Sequence, residues 1–204
     1  MHCLKQMAAG MMLVCAMGSA YAQLGNGGAT YSDVMTSGDK SREMMGKFVA
    51  VTRDTLTAEA TMLAAIGQAG DADLAMAQLK TVGPDMNVEA SETVLAAQTK
   101  TGAALERGLA GKQVAFDAAG KRQFGDAMLV LAKSVHEYAS LSSELPSLKQ
   151  ALKNSGNKAR VSYYASKTVA GSLAEMRQTL RAAAAFARAN GIALDATVEQ
   201  ALAQ

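Results

Sequence analysis

The chain has 204 residues, half of them hydrophobic, and a formal charge of +2 from 20 basic and 18 acidic side chains. That length suits one domain with a sizeable core, and so even a charge balance excludes a dedicated nucleic-acid binder, which carries a concentrated basic excess. Aromatic residues are only 4% and Trp is absent, so the interior must be built from Ala, Leu, Val and Met, the stock of close-packed helices and not of sheets.

The first segment, MHCLKQMAAGMMLVCAMGSAYAQ, reads as a secretory signal. Lys5 supplies the positive n-region, the stretch from Met7 to Met17 the apolar h-region, and Ala20-Tyr21-Ala22 the cleavage motif. Residues 1–22 are thus expected to be removed, leaving a mature chain that starts at Gln23 and is periplasmic or secreted. The apolar run is shorter than the roughly 20 residues of a membrane span, and no later run is long enough. Both cysteines, Cys3 and Cys15, fall in this segment. Lipidation at Cys15 is the alternative, but Val14 stands where a lipid-modification site wants a small residue. Cleavage after Ala22 leaves no thiol, which removes disulfides, thiolate metal sites and cysteine nucleophiles together.

Residues 23–38, QLGNGGATYSDVMTSG, mix Gly, Asn, Ser and Thr without a period and read as a flexible leader. Residues 39–204 read as a single helical domain. Asp39 can cap a first helix running to about Gln68, with Met44, Phe48, Val51, Met62 and Ile66 on one face and Gly67 and Gly70 as its stop. Asp71 can cap a short helix that ends at Gly83-Pro84, because Pro disfavours helical geometry in the residue before it. A third helix begins after Asn87 and buries Val94, Leu95, Leu105 and Leu109. Gly102, Gly108 and Gly111 weaken it, and a break is expected between Gly108 and Lys112.

From about Lys121 to Glu144 a further helix aligns Phe124, Met128, Leu131, Val135, Tyr138 and Leu145, with Leu145-Pro146 expected to end it and Ser147 to Lys153 to form a short separate turn. The stretch from Asn157 to Asn190 is the longest uninterrupted element, roughly 50 Å at helical rise, and reads as the helix the rest packs around. Val161, Ala165, Val169, Leu173, Met176, Leu180, Ala183 and Ala187 share its apolar arc. Asn190-Gly191 closes it, and Asp195 can cap a last helix to about Ala203. No strand alternation and no repeat is visible. The expected fold is an all-α bundle of about five to seven helices with one long helix in its C-terminal half.

Groups for catalysis are few. The mature chain has one histidine, His136, and the positions three and four residues away are Ala132, Lys133, Ala139 and Ser140, so no helical ligand pair forms around it. As a general base it would need Glu137 or Glu144. Eight methionines follow the signal, but only Met44 and Met45 are close in sequence, and those that fit a helical stripe, Met44, Met62, Met128 and Met176, read as core filler and not as a copper site. Asp71, Asp73, Asp85, Asn87 and Glu89 lack the register of a calcium loop. No metal and no cofactor are expected.

Tyr163-Tyr164-Ala165-Ser166-Lys167 resembles the Y-x-x-x-K segment of short-chain dehydrogenases, and the likeness runs on loosely through Thr168 to Leu173. That resemblance implies a tyrosine acid and a lysine one turn later acting on a nicotinamide-bound substrate. Those enzymes seat the dinucleotide on a Gly-rich turn between strand and helix, whereas Thr101-Gly102-Ala103-Ala104-Leu105 follows no strand and lacks the later glycines. Tyr163 and Lys167 therefore read as neighbours one turn apart.

The long helix also carries Arg160, Lys167, Arg177, Arg181 and Arg188 on one arc, with Tyr163 beside them and Glu175 as the one acid between Lys158 and Asn190. Such a cationic flank suits an acidic envelope protein, or an anionic lipid or polymer surface. The expected role is an exported, non-catalytic interaction or scaffolding module of the cell envelope. A carrier holding a lipid or other apolar ligand between helices is the alternative.

Overall fold

A computed structural model describes residues 39–83, 88–110, 113–152 and 158–204, so the signal segment and the leader lie outside the described residues. Six helices and no strand occur among them: α1 Asp39–Ala65, α2 Ala69–Leu79, α3 Val88–Leu109, α4 Ala118–Leu152, α5 Lys158–Ala189 and α6 Ala196–Leu202. The four long helices close a ring in which α1 packs on α4, α4 on α5, α5 on α3, and α3 on α1. This is a four-helix bundle. Helix α2 fills the outside of the α1–α3 pair, and α6 lies against α4 and α5.

The apolar periods of the sequence are the buried stripes of these helices. Phe48, Val51, Met62 and Ile66 of α1, Val94, Leu95, Leu105 and Leu109 of α3, and Phe124, Met128, Leu131, Val135, Tyr138 and Leu145 of α4 are all buried. So are Val169, Leu173, Met176, Leu180, Ala183 and Ala187 of α5, while Met44, Val161 and Ala165 lie outside the residues whose side chains are described. The most extensive interface joins α1 to α4, so the long α5 is one wall of the bundle and not its axis. Among the described residues aromatic rings meet at two points. Phe116, Phe124 and Phe186 form a triangle with ring centroids 5.2 to 5.9 Å apart, and Phe48 meets Tyr138 at 6.0 Å.

The helix ends follow from local chemistry. Gly67 closes α1 with φ +79°, and Gln68 N–H donates to Leu63 C=O at 2.8 Å, the long bond of a Schellman turn. Gly191 does the same after α5, with φ +64° and a 2.9 Å bond from Ile192 N–H to Ala187 C=O. Asp117 caps α4 by accepting from Gly120 N–H at 2.7 Å, and Asp195 caps α6 by accepting from Thr197 N–H at 2.7 Å. Hydrogen bonds from the Thr197 backbone N–H and side-chain hydroxyl hold the Asp195 carboxyl below its ordinary range. Helix α3 ends at Leu109, as its glycines suggest.

Three expectations are corrected. Asp71 does not cap α2; the helix starts two residues earlier with Gln68 at the cap position, and Asp71 lies in the first turn, where its charge meets the positive end of the helix dipole. Gly70 accordingly lies inside α2. Asp85, Asn87 and Glu89 lie outside the residues whose side chains are described. Pro146 does not end α4, which runs on to Leu152 with the proline inside it. The missing N–H costs about 3 kcal/mol, and the buried Leu141 and Leu145 just before it offset that loss by staying in the core.

Gly171 tests the weight of backbone propensity against packing. A Cβ there would meet no atom within 4 Å, so Gly171→Ala should stabilise the bundle by about 1 kcal/mol through helix propensity alone. The measurement is the urea midpoint, with m unchanged.

Candidate functional site

The cationic flank is only in part a set of exposed charges. Arg181 is exposed and makes no ion pair among the described residues. Arg188 is exposed but held, its Nη2 donating to both carboxylate oxygens of Glu199 on α6 at 2.9 Å. Arg177 is half-buried, and its Nε is buried without a hydrogen-bond partner among the described residues. Arg160, Tyr163 and Lys167 lie on the helical backbone of α5 but outside the residues whose side chains are described. The other edge of α5 is acidic and amide-bearing and faces α3. Glu175 accepts from the Thr99 hydroxyl at 2.8 Å, and Gln178 Nε2 and Thr179 Oγ1 donate to Glu106 at 2.6 and 2.9 Å.

The interior holds a second cluster that sequence reasoning did not single out. Glu59 of α1 is only 1% exposed, and its Oε2 has no hydrogen-bond partner among the described residues. It stands in the middle of the α1 stripe, with Thr55 four residues before it and Met62 three after, all buried. A carboxylic acid in that register is the signal that was present in the sequence. Burial holds its carboxyl well above the ordinary range, and the nearby charges of Glu175 and Glu106 push the same way.

Around Glu59 the core is unusually hydroxylic. The Thr52 hydroxyl donates to Phe48 C=O at 2.8 Å and lies 3.3 Å from the Tyr138 hydroxyl, and the Thr55 hydroxyl donates to Val51 C=O and reaches Met176 Sδ at 3.9 Å. Burial pushes the Tyr138 phenol up to about 12, against the opposing hydrogen bonds of Thr52 and Ser172. Gly102 makes the cluster possible. A Cβ there would fall 3.0 Å from Thr179 Oγ1 and 3.2 Å from Glu59 Oε1, so the α3 backbone is seated directly on the two side chains.

His136 is exposed, with Nδ1 3.3 Å from Gln204 Nε2, in a shallow hollow of about 190 Å³ that also includes Lys133, Glu137 and Thr197. Glu144 is turned instead to Lys47 at 3.9 Å and Ser140 at 3.5 Å. Among the described residues no three His, Cys, Asp or Glu side chains are grouped to hold a metal ion. Residues 101 to 105 lie inside α3, with no strand before them among the described residues. No helix among the described residues is long and apolar enough to cross a membrane.

Among the described residues, two grooves on the outside are lined by α1 and α4 and by α2 and α3. One of about 450 Å³ runs between α1 and α4 past Thr57, Thr61, Arg122 and Asp126. The other, of about 430 Å³, lies between α2 and α3, floored by Ala75, Ala97 and Ala104 with Leu74 and Lys100 on its walls. Leu74 is 68% exposed, the largest apolar exposure among the described residues. No family model, no curated protein and no solved structure matches this chain.

Gly102→Ala sets about 1 kcal/mol of helix propensity against overpacking of about 1–3 kcal/mol. Thr179 is β-branched and tied to Glu106, so it cannot swing aside cheaply. The expected outcome is a net loss of stability, opposite in sign to Gly171→Ala, read from the same urea midpoint.

Proposed function

We propose that this protein is an exported, non-catalytic helical module of the cell envelope, periplasmic or secreted, that works by binding a protein partner with an acidic face along the cationic flank of α5. The observation that carries this reading is Arg181, which is exposed and in no ion pair among the described residues. Glu175, the helix's one acid, is engaged by Thr99 on the opposite edge. Charges at the rim of an interface chiefly speed and orient encounter, and the near-neutral total of +2 leaves such a flank to act locally. Arg160, Tyr163, Lys167 and Arg177 would extend the same surface toward the start of α5, and Arg188 toward its end.

In-cell crosslinking of the mature protein, followed by identification of what is captured, tests this. Arg181→Glu should lower capture and slow association in a salt-dependent way, while Arg181→Lys keeps most of both. Capture unchanged by the charge reversal would remove the flank from the explanation.

A second reading is a carrier of a lipid or other apolar ligand, and the α2–α3 groove favours it. Its volume falls in the range of about 300–1,000 Å³ typical of ligand pockets, its floor is Ala-rich, and Lys100 offers a cation for an anionic head group. Organic extraction and mass spectrometry of the purified protein separate the two. Co-purified lipid that is lost in Leu74→Asp supports the carrier, and a ligand-free protein overturns it.

A further inference from the structure

We propose that Glu59 is a pH-responsive latch: the seam where α1 meets α3 and α5 is closed while this carboxyl carries its proton and loosens when the proton leaves. A carboxylate needs counter-ions, donors or water, and the surroundings offer none of the three. The titratable group facing it from α3 is Glu106, from α5 Glu175, and from α4 the Tyr138 phenol. Each is acidic. Helix α2, the remaining neighbour of α1, keeps its charged Asp71 and Asp73 exposed, and Lys80 after it is exposed too. No Lys or Arg is among the groups that act on the Glu59 carboxyl.

Donors are equally absent. Thr179 Oγ1, the hydroxyl beside it across Gly102, gives its proton to Glu106 at 2.9 Å. Glu106 accepts that bond and one from Gln178 at 2.6 Å, one on each oxygen, which holds it in place as an acidic neighbour. Room for water beside it is scant, because a Cβ on Gly102 of α3 would already fall 3.2 Å from Glu59 Oε1. Ionisation therefore has one route to solvation, which is to part α3 from α1 and α5. Gln98 lies one turn before Gly102 on α3, 3% exposed, and its Oε1 also lacks a hydrogen-bond partner among the described residues. An opened and hydrated seam would satisfy both orphan oxygens at once.

The direction of the pH effect follows from proton counting. Between the ordinary glutamate value of 4.5 and the raised value in the bundle, the folded protein holds a proton that the unfolded chain has released. Stability is full below that window and falls as pH rises through it, about tenfold in the folding equilibrium per pH unit. Asp195, with its lowered value, acts in the opposite sense at acid pH. A Glu59→Gln protein, which copies the protonated shape without the charge, isolates the contribution of Glu59.

The experiment compares urea midpoints of the wild-type chain and Glu59→Gln from pH 5 to pH 9, with amide hydrogen exchange in 97–105 of α3 corrected for its intrinsic pH dependence. The wild type should weaken with rising pH and its α3 amides should lose protection, while Glu59→Gln stays flat in both and exceeds the wild type at pH 8. A ¹³C titration of the Glu59 carboxyl in the wild-type chain needs no variant and decides the case if Glu59→Gln does not fold. Parallel stability profiles, a carboxyl midpoint near 4.5, or a raised midpoint with unchanged protection in α3 would each overturn the latch.

Discussion

Small side chains let the helices of this bundle approach closely, and that closeness governs most of what the molecule does with its polar groups. Val51, Leu56, Met62, Leu63, Leu105, Met128, Leu131 and Leu180 are sealed from solvent, with Tyr138 and Phe124 as the fully buried rings beside them. Interiors packed at crystal-like density leave no space for water beside a polar atom. Wherever Thr, Tyr or Glu enters that interior it must find a partner in the protein or go without. The threonines solve this locally by donating back to the carbonyl four residues earlier, as Thr52, Thr55 and Thr101 do. Glu59 has no such local solution, since its longer side chain is carried away from its own backbone to the seam with α3. Gly102 sharpens the constraint by bringing the α3 backbone within van der Waals range of that carboxyl.

The helices were legible because their apolar periods, capping residues and glycine stops are all local signals. Asp195 and Gly191 act where the chain order places them, and the boundaries of α3 and α5 follow from Leu109, Lys158 and Ala189 with little displacement. What escaped was decided by contacts distant in sequence. Pro146 carries a local signal to stop, but Leu141 and Leu145 are anchored in the core and the helix continues through it. The primacy of the α1–α4 interface over α5 depends on pairing between helices, which length alone does not encode. Glu59 escaped because a charged residue in an apolar stripe is read as an interruption of the pattern, when here it is a member of it.

The surface and the interior suggest different kinds of work. On the outside, the polar edge of α5 toward α3 is fully engaged in bonds to Thr99 and Glu106, whereas Arg181 on the other edge is in no ion pair among the described residues. Such an asymmetry makes one edge of a helix cohesive within the bundle and the other available for encounter. Inside, the hydroxyls of Thr52 and Tyr138 and the acid of Glu59 form a second, buried polar group. His136, out on the surface beside Gln204, takes no part in it.

One residue fastens the segment before α4 to the end of α5. Asn190 accepts from Val114 N–H at 3.2 Å and donates to Phe186 C=O at 2.9 Å, so a single side-chain amide ties the 113–117 segment to the end of α5. Its neighbour is Gly191, and an Asn-Gly pair is where polypeptides most readily shed ammonia as they age. Conversion of that amide to an acid would delete the donor and set an anion against the Phe186 carbonyl, while leaving an acceptor for Val114 N–H.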